Sequence, residues 1–83
     1  IMKKIKIGGK IVAISYKKLW KLLIDRNIKK GELQQLANVS SSSIAKLGKN
    51  ENVNTDILVR ICKALNCSLE EIMELTETND KKE

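Results

Sequence analysis

Ser41, Ser42, Ala45 and Lys46 fall on the outward side of one short helical pattern, and all of them are small or basic. A serine hydroxyl can donate or accept a hydrogen bond, a lysine ammonium can reach guanine or a phosphate, and alanine leaves room for close approach. That is the set of side chains a helix needs when it lies against base edges and phosphates. Covalent chemistry has no comparable candidate. The chain contains no His, which excludes a His-based catalytic base and a His-containing metal site. Cys62 and Cys67 are not in a CxxC arrangement and make no zinc site. They read as small buried hydrophobes in a reducing cytosol. No constellation of acids, bases and nucleophiles forms a pocket, so the expectation is a protein that is not an enzyme, with no cofactor, metal or small-molecule ligand.

The elements that must position this surface lie on either side of Asn38-Val39-Ser40. Leu33, Leu36 and Ala37 give the preceding segment a three-then-four apolar spacing, and Ile44 and Leu47 continue the pattern in the following one. A turn this short cannot let two helices lie side by side, so they cross steeply. The result is a helix-turn-helix, which presents its second helix to the DNA major groove. Asn38 suits the turn because Asn tolerates left-handed backbone nearly as well as Gly. Ser40 is the expected N-cap of the second helix.

The 83 residues make one small domain whose core must be aliphatic, because Phe is absent and Tyr16 and Trp20 are the only aromatics. The net charge is +6, unevenly placed: residues 1–30 carry +9 and residues 31–83 carry −3. A basic end suits a polyanion, and an acidic end should face away from it. No apolar run reaches membrane-span length and no signal-peptide core is visible.

Along the chain, Lys4-Ile5-Lys6-Ile7 and Lys10-Ile11-Val12-Ala13-Ile14 alternate around Gly8-Gly9, a hairpin signal. A second reading of the same stretch is genetic. Gly8-Gly9-Lys10-Ile11-Val12 can be encoded by a purine-rich ribosome-binding sequence followed by a GTG start, which would make residues 1–11 translated leader and Val12 the natural start. A first helix is expected from Tyr16 to Arg26, capped by Ser15, with Tyr16, Leu19, Trp20 and Leu23 on its buried face. Lys17, Lys18 and Lys21 read as its solvated face, with contact to DNA as the alternative. A fourth helix spans Thr55 to Leu65 with Ile57, Leu58, Ile61, Cys62 and Leu65 inward, and Asn66 ends it. Ser68-Leu69-Glu70-Glu71 is a capping box and predicts a fifth helix carrying Leu69, Ile72, Met73 and Leu75. The division expected is an amino-terminal extension over residues 1–14, a DNA-binding domain over 15–75 and a frayed polar tail over 76–83.

With these elements in place the pattern resembles the lambda-repressor-like, Cro-type family of helix-turn-helix regulators. The resemblance runs from Ser15 to Leu75. It rests on Glu32-Leu33, Ala37-Asn38-Val39-Ser40, Ser43-Ile44-Ala45-Lys46-Leu47 and the run from Leu58 to Ile72. Gln34 stands where the family usually has a small residue, and Asn38 where it usually has Gly. The resemblance implies an all-α, five-helix fold and a regulator of transcription, most simply a repressor, that binds duplex DNA. By the same resemblance, Ser40, Ser41, Ser42 and Lys46 face base edges. Lys29 and Lys30, opening the second helix, and Lys49 and Asn50, following the third, meet phosphates.

Such a regulator is expected in the cytoplasm, acting as a homodimer with two recognition helices about 34 Å apart. Leu69, Ile72, Met73 and Leu75 spread around the predicted fifth helix, and part of that set is expected to meet the second chain. Strand pairing through the amino-terminal hairpin is the alternative dimer. The rival function is a protein-interaction subunit, antitoxin-like or anti-repressor-like, in which DNA binding is secondary.

Overall fold

The computed structural model describes residues 4–79. The outer ends of the leader and tail readings, residues 1–3 and 80–83, lie outside the described residues.

Two strands open the fold, β1 (Lys4–Ile7) and β2 (Lys10–Ser15). Gly8 and Gly9 join them with φ of 54° and 83°. Positive φ at both central positions is what a two-residue hairpin turn matching the strand twist requires, and only Gly adopts it without a Cβ penalty. Four helices follow: α1 (Lys17–Asp25), α2 (Lys30–Ala37), α3 (Ser41–Gly48) and α4 (Thr55–Leu65). The chain then makes a single 3₁₀ turn over Leu69–Glu71 and forms a third strand, β3 (Glu74–Asn79).

The expected all-α, five-helix architecture is therefore corrected. The described residues hold four α-helices and a three-stranded antiparallel sheet in the order β1-β2-β3. The start signal for a fifth helix is genuine: the Ser68 amide donates to the Glu71 carboxylate at 2.8 Å, closing the capping box. The helix does not propagate: Ile72, directly after the box, is fully buried in the core, and the chain enters a strand two residues later. Forming the first helical turn is costly, and so short a segment recovers little of that cost. The free edge of β2 offers an alternative. Glu74 to Thr78 carry two threonines and alternate in character, and pairing with β2 satisfies the backbone groups on the side that faces it. The register sets Ile14 opposite Leu75 and Val12 opposite Glu77, and Lys10 reaches Glu77 at 3.3 Å.

One buried cluster unites the helices: Tyr16, Leu19, Leu23, Leu33, Ala37, Val39, Ile44, Leu47, Leu58, Ile61, Leu65 and Ile72. Trp20 and Ile14 pack against its margin. Leu36, read as part of the apolar spacing of α2, is 59% exposed instead. An eight-residue helix has room to bury one narrow stripe, and Leu33 and Ala37 fill it. Ser15 does not cap α1 in the expected way. Tyr16 occupies the cap position, and the Ser15 hydroxyl accepts from the Lys17 amide at 3.2 Å.

Asparagine closes the helices. Asn27, Asn38, Asn50 and Asn66 all have left-handed backbone, with φ between 53° and 58°. After α4, the Asn66 amide donates to the Lys63 carbonyl and the Cys67 amide to the Cys62 carbonyl, a left-handed cap with paired return bonds. The Arg26 guanidinium donates to the Leu65 carbonyl and ties the end of α1 to the end of α4. Cys62 and Cys67 are free thiols, half-buried at this junction, and burial pushes the Cys67 thiol up from its ordinary pKa.

The closing box is a pH-sensitive feature. The Ser68 amide, and then its hydroxyl, bond the Glu71 carboxylate and hold its pKa below the ordinary 4.5. Because the folded value lies under the unfolded one, the contribution is present above about pH 4.5 and is lost as pH falls through the folded value. Thermal melts should show Glu71→Gln less stable than the parent at pH 7, with the gap closing toward pH 3. A gap that stays constant across that range would contradict the assignment.

Candidate nucleic-acid interface

The geometry begins at the turn between α2 and α3. Asn38 sits at φ 55°, ψ 52°, and the Val39 amide donates back to the Gln34 carbonyl at 3.1 Å. Val39 is buried, which anchors the turn in the core. Ser40 then takes extended backbone and its hydroxyl accepts from the Ser43 amide at 3.2 Å. It is thus the N-cap of α3, as its type and place predict. The same hydroxyl lies 3.0 Å from that of Ser42 and 3.1 Å from that of Ser43.

Ile44 and Leu47 turn α3 toward the core, and this fixes what faces outward. Ser41, Ser42, Ala45 and Lys46 are exposed, as is Lys49 just past the helix. The structure therefore collects Ser40, Ser41, Ser42 and Lys46 on the solvent side of one eight-residue helix. No aliphatic side chain of α3 larger than alanine shares that side.

Lys29 and Lys30 are both exposed at the amino end of α2. The Lys29 amide donates to the Glu32 carboxylate at 2.9 Å, so an acid one turn on offsets two cations placed at the positive end of a helix. The Lys30 ammonium stands 4.6 Å from the centroid of the Trp20 ring. This cation–π contact holds the lysine over α1 without neutralising it. Trp20 thereby acquires a second role beside packing, one that its place in the α1 stripe did not announce.

Asn50 is engaged in the fold. It ends α3 in left-handed backbone, and its side-chain oxygen accepts from the Tyr16 amide at 3.0 Å. Tyr16 follows β2 directly, so this bond joins the exit of the recognition helix to the root of the sheet. Lys18 turns the other way: its ammonium donates to the Glu70 carbonyl at 3.2 Å and lies 3.9 Å from the Glu74 carboxylate.

Arg60 escaped the sequence reading. Its guanidinium donates to the Asn38 carbonyl at 2.8 Å and pairs with the Asp56 carboxylate at 3.0 Å. The four-residue spacing of Asp56 and Arg60 is visible in the sequence, but the contact with the turn is not. Of the residues read as a dimer surface, Ile72 lies within the core, Leu69 and Leu75 are exposed, and Met73 is half-buried. Leu69, Met73 and Leu75 line one apolar groove, and Leu69 also borders a second formed with Val59, Cys62 and Cys67.

Among the described residues no group of His, Cys, Asp and Glu is placed to hold a metal ion, and no helix is long and apolar enough to cross a membrane. The arrangement offers hydroxyl, ammonium and amide groups on one helix and its flanks, which is equipment for hydrogen bonding to a polyanion.

Comparison with known proteins agrees with this geometry. The family described as Cro/C1-type HTH DNA-binding domain matches residues 18–78. A crystal structure of transcriptional regulator VanUg, Form II, is similar at 49% identity and a TM-score of 0.77, over 92% of this chain and 99% of that one. No curated protein matches. With the matched region spanning the helix-turn-helix, α4 and nearly all of β3, the chain belongs to the family of Cro/C1-type helix-turn-helix DNA-binding domains.

Proposed function

We propose that this chain is a sequence-specific transcriptional regulator, acting as a repressor from the cytoplasm, that binds duplex DNA as a homodimer. The observation that carries the reading is the two-sidedness of α3. Ile44 and Leu47 are buried while Ser41, Ser42, Ala45 and Lys46 are exposed around a capped amino end. A helix N-terminus with small hydroxyl side chains fits a major groove, and repression follows most simply from occupying a site. The similar VanUg protein is described as a transcriptional regulator, which supports the same reading.

In this reading Ser41, Ser42 and Lys46 meet base edges. Ser40 caps the helix, and its hydroxyl meets a base edge by exchanging its contact with the Ser42 or Ser43 hydroxyl for one with DNA. Lys29, Lys30 and Lys49 meet phosphates, with Lys30 presented from the Trp20 ring. Asn50 adds a contact from the turn whose main work is holding Tyr16. Base contacts specify and phosphate contacts position, so the two classes separate experimentally. Against a duplex selected from a random pool, Ser42→Ala and Lys46→Ala should each cost roughly 1 to 3 kcal/mol and change the preferred sequence. Lys30→Ala should weaken selected and random duplexes alike. Equal losses on both duplexes for Lys46→Ala would move it to the phosphate class.

The second chain meets the groove of Leu69, Met73 and Leu75, with Ile72 supporting that surface from inside. Two exposed leucines beside acidic Glu70, Glu74 and Glu77 suit a modest contact that a two-half-site operator reinforces. Covering one Leu is worth about 1.5 to 3 kcal/mol before association costs, roughly ten- to a hundredfold in dimer affinity. Sedimentation equilibrium should show micromolar dimerisation for the full chain and at least tenfold weakening in Leu69→Asp. An unchanged dimer in that variant would exclude this surface. A chain that stays monomeric even on a two-half-site duplex would exclude the dimer and favour a partner protein for the exposed leucines.

A further inference from the structure

We propose that Arg60 is a positioning residue for DNA recognition, setting the seat of α3 through the turn rather than by touching DNA. The inference rests on the reading of α3 as the base-contacting helix.

The Asn38 carbonyl belongs to the last turn of α2, where carbonyls have no partner within the helix. Left-handed backbone at Asn38 aims this carbonyl at α4, and Arg60 donates to it at 2.8 Å. The other edge of the guanidinium is held by Asp56, one turn earlier on α4, at 3.0 Å. Arg60 is therefore fixed from behind before it reaches the turn. A cation at the carboxyl end of α2 also complements the helix dipole. The planar fork of arginine can serve two acceptors in set directions, whereas a lysine ammonium on a flexible stem fixes no such angle.

The consequence lies three residues onward. Asn38 precedes Ser41 and Ser42 by one short stretch, and the only hinge between them is Val39-Ser40. Val39 is held in the core and its amide bonds back to the Gln34 carbonyl, so the bond from Arg60 to the Asn38 carbonyl ties the other side of the same planar peptide group to α4. Clamping it to α4 makes α3 part of the same rigid frame as Ile61 and Leu65. At the other end, the bond from the Tyr16 amide to Asn50 holds the exit of α3 to the start of α1. Hydroxyl readers have short reach, so discrimination between base pairs depends on this frame more than overall attraction to the duplex does.

The test uses the full chain with Arg60→Met, Arg60→Lys and Asp56→Asn. Without DNA, amide hydrogen exchange in Arg60→Met should quicken about tenfold at Asn38 and Val39, while Leu58 to Leu65 keep the parent rates, as loss of one charge-assisted hydrogen bond implies. On DNA, the preference for the duplex selected by the parent chain over random duplex should fall about tenfold, with random-duplex affinity held within about twofold. Arg60→Lys and Asp56→Asn should fall between Arg60→Met and the parent. Unchanged exchange at Val39 overturns the proposal. So does quickening of all α4 amides together, which would make Arg60 an ordinary stabilising residue. Equal loss on both duplexes overturns it as well, by making Arg60 a phosphate contact. If the parent selects no duplex, it is the reading of α3 that fails, and the exchange measurement still decides whether Arg60 clamps the turn.

Discussion

Burial of Ile44 and Leu47 in the cluster that also holds Leu33, Ala37 and Val39 is the constraint on which the rest depends. Two eight-residue helices have no stability of their own, since each is shorter than an isolated helix can sustain in water. They exist because their inner faces share one core. Once α3 has turned Ile44 and Leu47 inward, geometry places Ser41, Ser42, Ala45 and Lys46 outward. The surface that could meet DNA is thus the complement of the core, and its residue types are free to serve binding because none is needed for packing.

Around that core the polar contacts act as ties between elements distant in sequence. Arg60 joins α4 to the turn, the Asn50 side chain joins the end of α3 to Tyr16, and Arg26 joins α1 to the end of α4. Each of these bonds ends on a backbone group at a helix boundary. Such groups are the ones a helix leaves unpaired, so the ties satisfy hydrogen bonds and fix angles together. The positively charged side chains divide accordingly. Arg26, Arg60 and Lys18 are exposed but engaged by acceptors of the fold, whereas Lys30 lies over Trp20 and Lys29, Lys46 and Lys49 face solvent.

Local signals in the sequence were sufficient for α1 to α4, for the left-handed turn at Asn38, for the stop at Asn66, and for the cap at Ser40. All of them depend on residues within one or two turns. The fifth helix failed because its signal is ambiguous at that range. A box of Ser68 and Glu71 opens a 3₁₀ turn as readily as an α-helix, and the choice is made by β2, whose pairing residues lie some sixty positions earlier in the chain. The hairpin itself was legible, but nothing near it says that its second strand accepts Glu74–Asn79. Leu36 misled because apolar spacing does not reveal how wide a stripe a short helix can bury. The candidate surface on α3 was legible for the same reason its core was: the two are opposite faces of one pattern. Arg60 was not, because its partner is a backbone carbonyl that carries no residue type.

The claim at the centre is that the outward face of α3 is where DNA is bound. Backbone and side-chain NMR shifts of the full chain, followed while a selected duplex is added, test it most directly. The account predicts the largest changes at Ser41, Ser42, Ala45 and Lys46, with smaller ones at Lys29, Lys30 and Lys49. Changes confined to Leu69, Met73 and Leu75, with α3 unmoved, would contradict it.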